Sequence, residues 1–303
     1  STIGIAFSAN FLTFVLFYEI LTLATYPLVI HRETPLAMAA GHKYLAYLLT
    51  GGLALIVAAA LTYYYAGTLD FRAGGFLSGV AGQPDLMLLF VLFLVGFGMK
   101  SALIPFHSWL PSAMVAPTPV SALLHAVAVV KAGVFSVSRI ILSGFGLETM
   151  NALNLGIPTA YLAAFTIVVA SVIALTKDDL KARLAYSTVS QLSYVIIGVT
   201  MLTPDAVTGG LAHIAHHAFS KITLFFGAGA IYVATHHKKI SLMGGFGRKM
   251  PITFAMFSLA ALSMIGMPPV CGFVSKWYLI NGAMQAHQVI ILCALLGSTI
   301  LNA

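Results

Sequence analysis

The sequence predicts an all-α polytopic membrane protein, built from inverted repeats of transmembrane helices with two broken helices. Three observations carry that expectation. The 303 residues are 60% hydrophobic and 8% charged, with a mean hydropathy of +0.98. An ordinary soluble domain carries about 25% charged residues, so this chain cannot clothe a water-facing surface. The apolar residues gather into runs of about 20, the length that spans a bilayer as a helix. Two of those runs are interrupted by proline, and each interrupted run holds a lysine: Lys100 with Pro105, and Lys276 with Pro268 and Pro269.

About nine crossings are expected, at residues 6–30, 43–66, 85–110, 119–142, 158–176, 186–203, 207–234, 252–285 and 288–303. The first, "FVLFYEILTLATYPLV", holds one carboxylate, Glu19. The second follows the polar stretch that ends at Lys43. The third, "LMLLFVLFLV", leads to Lys100 and the break at Pro105. The fourth, "LLHAVAVVKAGVF", carries His125 and Lys131. The fifth is apolar throughout. The sixth follows "TKDDLKARLA"; the hydroxyls and Gln191 of "YSTVSQLSY" read either as hydrating a path or, preferably, as satisfying its start. The seventh, "GGLAHIAHHAFSKITLFF", holds three histidines and Lys221. The eighth reads as two half-helices, and the ninth is "VIILCALLGSTILNA". Small residues in "SMIGMPP", "GAGA" and "SALLHA" allow close helix packing. Residues 1–142 form the first half-repeat, 143–185 a connecting helix and loop, and 186–303 the second half-repeat, entering from the opposite face.

Loop charges set the expected orientation. One face collects Arg32, Lys43, Lys177, Lys181, Arg183, Lys238, Lys239, Arg248 and Lys249; the other has Arg72 and Arg139. The first is expected to be cytoplasmic, with Ser1 on the outer side of the plasma membrane. The chain opens on Ser1 almost directly into an apolar run and ends inside another, which reads as a piece of a longer subunit. No cleavable signal is evident.

Several functions are disfavoured. Cys271 and Cys293 make neither a disulfide framework nor a CxxC pair. Walker A, GxGxxG, GxSxG and haem or iron–sulfur patterns are absent, so no cofactor and no catalytic enzyme activity are expected. The net charge of +7 is scattered over short loops, which argues against a nucleic-acid partner. His213 and His217 stand i, i+4 as in HExxH, but no glutamate follows His213 and the helix offers no third ligand, so no metal site is expected.

The informative residues are charges where they cost most. Glu19, Lys100, Lys131 and Lys276 fall deep in crossings, where an ionised group costs about 2.5–3.5 kcal/mol on insertion scales. Glu19 is the natural counter-ion for Lys100. The carbonyls freed by Pro105 can hold water or receive the Lys100 ammonium. Lys131 and Lys276 have no acid near them in sequence; a lysine taken from water without a counter-ion holds its proton less firmly and can carry protons. His213, His217 and Lys221 are spaced i, i+4, i+8 on one helix face, the arrangement a proton wire needs. His216 falls on another face and reads as structural. His125, six residues before Lys131, is a possible further member.

The stretches "GMKSALIPFHSWLPSAMVAPTPVSALLHAVAVVKAGVF", "DDLKARLAYSTVSQLSY", "AHIAHHAFSKITLFFGAGAI" and "GMPPVCGFVSKWYLI" resemble the antiporter-like membrane subunits shared by Mrp-type multisubunit cation/proton antiporters and the proton-pumping arm of respiratory complex I. The resemblance covers nearly the whole chain. "LLHAVAVVKAGVF" and "RLAYSTVSQLSY" look most like the D-type members of the Mrp antiporters. The resemblance implies that Glu19 and Lys100 form a switchable ion pair, Lys131 is the central relay lysine, His213, His217 and Lys221 continue the relay, and Lys276 is the charged residue of the second broken helix. It also implies more crossings than this chain holds, and other membrane subunits as partners. The expected function is proton translocation in a Na⁺ or K⁺/proton antiporter; the alternative is the same role in a redox-driven pump of the complex I or membrane hydrogenase type.

Overall fold

The computed structural model describes residues 1–72 and 74–302. After a short helix, Thr2–Phe7, the chain forms α1 (Phe11–Val29), α2 (Pro35–Ala66), α3 (Gln83–Lys100), α4 (Thr118–Ala152), α5 (Gly156–Leu175), α6 (Leu180–Thr200), α7 (Pro204–Thr235), α8 (Pro251–Ile265), α9 (Cys271–Gln285) and α10 (Val289–Leu301). Six of these, α1 to α5 and α7, are long and apolar enough to cross a membrane; α8 and α10 are shorter apolar helices. Among the described residues extended backbone pairs only in isolated bridges, Asn10 with Asp70 and Asp179 with Lys239. Large apolar side chains such as Leu12, Leu16, Leu53, Ile56 and Phe165 point outward, as a lipid-facing surface requires. The chain is a multi-pass, all-helical membrane protein.

The helix ends follow from local chemistry. Asn10, Thr34, Asp179 and Thr203 accept from the backbone N–H three residues on, relieving the orphan donors of a helix start. Pro35 and Pro204 fill first-turn positions whose N–H would have no partner. Gly67 and Gly266 close α2 and α8 in the left-handed region.

Some expected boundaries move for these reasons. The second crossing begins at Pro35 rather than near residue 43, because Thr34 and Pro35 start the helix before its apolar part. The sixth begins at Leu180 rather than 186, since Asp179 caps it and Lys181 and Arg183 sit in its first turns. The hydroxyls and Gln191 of "YSTVSQLSY" therefore lie within the helix and do not satisfy its start. The fourth runs on to Ala152 through π-helical turns at Leu123–Val127 and Ile140–Phe145. The eighth is two half-helices, α8 and α9, parted at Gly266–Val270.

The third crossing breaks just after Lys100. Pro105 has no N–H to continue the ladder, and the backbone groups around it find other partners. Trp109 Nε1 donates to Met99 O at 2.7 Å, Leu103 N to Gly98 O at 3.0 Å, and Ile104 N to Thr166 Oγ1 of α5 at 3.3 Å. Gly133 of α4 packs on this break: a Cβ there would lie 2.5–2.9 Å from backbone atoms of Lys100 and Ser101. On the second half, α6 and α7 meet at Gly198 and Gly210, where a Cβ on Gly198 would stand 2.6 Å from Gly210 Cα.

On the Lys/Arg-rich face the α5–α6 and α7–α8 loops are clasped together. Leu180 N donates to Lys238 O at 3.0 Å and Ile240 N to Asp178 O at 2.8 Å. Ser241 donates its N–H to Asp178 Oδ1 at 3.0 Å and its hydroxyl to Oδ2 at 2.8 Å. These two bonds from Ser241, the backbone one first, hold the Asp178 carboxyl below its usual range.

Two outcomes follow. Gly133→Ala forces α4 away from the break and destabilises the protein by about 1–3 kcal/mol, read as a lowered thermal midpoint of the purified protein. The Asp178 clasp is fully present above the ordinary carboxylate pKa and is lost as pH falls through the lowered value. Hydrogen-exchange protection of the Ser241 amide should drop with acid in the native protein, and should be weak at every pH in Asp178→Asn.

Candidate functional site

The expected residues fall into one linked cluster and several separate stations. At the α1–α3 end the Lys100 side chain is fully buried. Its ammonium donates to Tyr18 O at 2.7 Å and Thr22 Oγ1 at 2.9 Å, and lies 3.3 Å from the centroid of the Tyr18 ring. The expected contact with Glu19 is not closed. Tyr18 and Thr22 share the face of α1 that meets α3. Glu19 is about 100° further round the helix and packs on α2, where a Cβ on Gly52 would stand 2.6 Å from its Cδ. Both Glu19 carboxyl oxygens are out of solvent and without a partner. The ammonium bonds to none of the carbonyls freed by Pro105 and reaches instead to a different helix, α1.

The centre is more tightly joined than the sequence suggested. Lys131 Nζ lies 2.6 Å from His217 Nδ1, linking α4 to α7. The π-helical turn at Leu123–Val127 precedes Lys131 by one helical turn, and such widened turns re-aim side chains. His217 and His213, four residues apart on α7, hold their ring centroids 6.1 Å apart. His213 Nε2 lies 3.0 Å from Gln191 Oε1 of α6, and its Nδ1 lies 3.0 Å from Ser275 Oγ of α9. His216 is not separate from this group: its Nδ1 is 3.3 Å from His213 Nδ1 and 3.3 Å from Ser275 Oγ, while its Nε2 faces Ser263 of α8 at 3.1 Å. Although it occupies another helix face, α8 and α9 wrap round α7 and bring partners to both faces.

Lys276 begins a second network. Its ammonium donates to Ile265 O at 3.0 Å, a carbonyl freed where α8 stops, and to Thr299 Oγ1 of α10 at 3.2 Å. Tyr194 lies beneath it, the ammonium 5.0 Å from the ring centroid, and the same ring stacks on His213 at 5.3 Å. The Tyr194 hydroxyl donates to Ser298 Oγ at 3.0 Å and faces Thr299 Oγ1 at 3.3 Å. Ser298 in turn meets Ser171 at 3.1 Å and Ser190 at 3.3 Å. A buried run of hydroxyls thus leads from Lys276 between α5, α6 and α10.

Lys221 and His125 stand apart. Lys221 donates to Leu184 O at 3.1 Å. Both His125 nitrogens are buried without a partner, and its ring rests on Phe225 at 5.2 Å. Among the described residues no group of three or more His, Cys, Asp or Glu side chains is placed to hold a metal.

The sequence reasoning missed Tyr18 and Thr22 as acceptors for Lys100, Gln191 and Ser275 as partners of His213, and Tyr194, Ser298 and Thr299 around Lys276. The polar residues of "YSTVSQLSY" were the available signal, once placed inside a buried helix. Chemically, the cluster is a set of titratable lysine and histidine side chains with hydroxyl and amide partners, held in a buried interior by helices whose interruptions supply acceptors.

Comparison with known proteins agrees with this architecture. Residues 8–301 match the family model described as NADH:quinone oxidoreductase/Mrp antiporter, TM. NADH-quinone oxidoreductase subunit N of Desulforudis audaxviator (strain MP104C) is 33% identical over 310 residues, covering 99% of this chain and 60% of that protein. NADH-quinone oxidoreductase subunit L of Mycobacterium tuberculosis (strain ATCC 25618 / H37Rv) is 36% identical over 289 residues, covering 92% of this chain and 44% of that protein. The chain therefore spans roughly half the length of these curated relatives. Among solved structures, a chain of the Mrp complex from Dietzia sp. DQ12-45-1b superposes with a TM-score of 0.90 at 25% identity, covering 99% of this chain and 56% of that one. A chain of an archaeal membrane-bound sulfane sulfur reductase shares the fold, with a TM-score of 0.91 at 24% identity. With nearly its whole length matched and its broken helices in place, the chain belongs to the NADH:quinone oxidoreductase/Mrp antiporter transmembrane family.

Proposed function

We propose that this chain is the proton-translocating part of a subunit in a multisubunit Na⁺ or K⁺/proton antiporter. The observation that carries the reading is the Lys131–His217 contact of 2.6 Å; His213, bonded to Gln191 and Ser275, stands next on α7 with its ring centroid 6.1 Å from that of His217, whose Nε2 has no partner of its own. A lysine and a histidine sharing a hydrogen bond can exchange a proton directly between them. Glu19 and Lys100 form the first station, Lys131, His217 and His213 the central one, and Lys276 the last; Lys221 and His125 lie on a branch. In the arrangement seen, Glu19 has no partner and Lys100 grips α1. Moving the ammonium onto Glu19 alters the charge facing the central station and passes a proton onward. The likeness to a chain of a Mrp complex supports this reading, as do the motifs shared with the D-type Mrp proteins.

In the same proposal the Lys/Arg-rich face is cytoplasmic, Ser1 lies on the outer side, and the membrane is the plasma membrane. The halves 1–142 and 186–303 act as inverted repeats around the central station. Other integral membrane subunits complete the transporter, and the coupled cation moves elsewhere in the assembly or along an overlapping path. A second reading is a redox-driven pump, favoured by the oxidoreductase names of the relatives. Co-purified flavin and iron–sulfur subunits support that reading; small membrane subunits alone support the antiporter.

Lys131→Ala, introduced in the intact complex, should reduce ion-driven ΔpH in vesicles to background. Unchanged ΔpH removes the relay from the account. Gln191→Leu deprives His213 of one partner and should slow transport by about 3–10-fold, the equivalent of one net hydrogen bond, measured in the same vesicles.

A further inference from the structure

A cavity of about 570 Å³ opens on the Lys/Arg-rich face, away from the relay. It lies between the α1–α2 loop, the start of α2, the segment joining α3 to α4, the start of α6 and the end of α7. Four cations line it, Arg32, Lys43, Lys181 and Lys238, against one acid, Asp179. Asp179 is engaged at Ala182 N as a helix cap at 2.9 Å. The cations divide into a floor and a rim. Lys181 donates to Met114 O at 3.0 Å and Ala116 O at 2.7 Å, and Lys43 to Ser112 Oγ at 3.2 Å. An ammonium has three donors, so Lys181 keeps one free and Lys43 two. Arg32 and Lys238 are exposed at the mouth; Lys238 Nζ stands 5.3 Å from the Tyr232 ring. The rest of the wall is mostly apolar, with Leu36, Met114 and Val115 among its residues, and carries the polar side chains of Thr34, Thr118, Tyr232 and His237.

We propose that this cavity is a binding site for the phosphate headgroup of an anionic phospholipid. A soluble anion needs only the cations. A lipid also needs an apolar wall leading from the charged mouth toward the hydrocarbon, and α2 provides it: Leu36 is 68% exposed beside the mouth. Basic pockets between membrane helices on a Lys/Arg-rich face bind anionic headgroups for these reasons. The inference does not rest on the proton relay, since none of the lining residues belongs to it. A bound phosphate would neutralise the rim and, through the free donors of Lys181 and Lys43, link α6 to α2.

The test compares the intact complex with a rim variant, Arg32→Gln/Lys238→Gln, and a control, Arg248→Gln/Lys249→Gln, which removes the same charge from exposed positions outside the cavity. Each is expressed in membranes of phosphatidylethanolamine and phosphatidylglycerol, extracted in mild detergent, and examined by native mass spectrometry for retained phosphatidylglycerol. Each rim cation contributes about 5-fold to binding, so the rim variant should retain about 25-fold less while the control matches the parent. Equal loss in both variants, or none in the rim variant, overturns the proposal. Delipidated complex is also titrated with inorganic phosphate. Phosphate binding as tight as that of phosphatidylglycerol would overturn the lipid as ligand in favour of a soluble anion; much weaker phosphate binding supports the lipid.

Discussion

An ammonium ion inside a bilayer must be given hydrogen-bond acceptors, and an unbroken helix has almost none to spare. Every backbone carbonyl in such a helix is already committed to an N–H four residues on. The structure depends on resolving that shortage for four buried lysines, Lys100, Lys131, Lys221 and Lys276. Its helix interruptions, its buried hydroxyls and its histidines are answers to the same need.

The answers differ from site to site. Lys276 takes a carbonyl that its own broken helix pair leaves free, Ile265 O, and adds a threonine hydroxyl. Lys100 sits beside a break but draws on α1, through Tyr18 O and Thr22; the groups at its own break are taken by Trp109, Leu103 and Thr166. Lys131 takes a histidine nitrogen, and Lys221 a single carbonyl at Leu184. The close approach at Gly198 and Gly210 keeps α6 within reach of Lys221, because a Cβ on either would push α6 from α7, while Gly133 lets α4 pack on the break after Lys100.

Much of the fold was legible in the sequence because its signals are local. Apolar runs, prolines and loop charges report on spans and breaks without reference to distant residues. Buried cations were legible too, since their cost in lipid singles them out. Their partners were not. That Lys131 meets His217 across 86 positions, or that Gln191 faces His213, depends on helix rotation and tilt, which hydropathy does not encode. Glu19 shows the limit most clearly: opposite charges made it the obvious partner of Lys100, yet its place about 100° round the helix turns it toward Gly52. The same reasoning set His216 aside because it lay on another face, without allowing for helices packed on both sides of α7.

The contrast between the two breaks has a mechanical meaning. The Lys276 ammonium is a strut across one interrupted crossing, holding the end of α8 against α9, with a second bond to the neighbouring α10. The Lys100 ammonium is instead a tether between neighbouring crossings, holding α3 to α1. Withdrawing a proton from the first would weaken a joint inside a broken rod; withdrawing one from the second would weaken the tie between two rods. One chemical event, repeated at the two ends of the molecule, would thus drive two different movements.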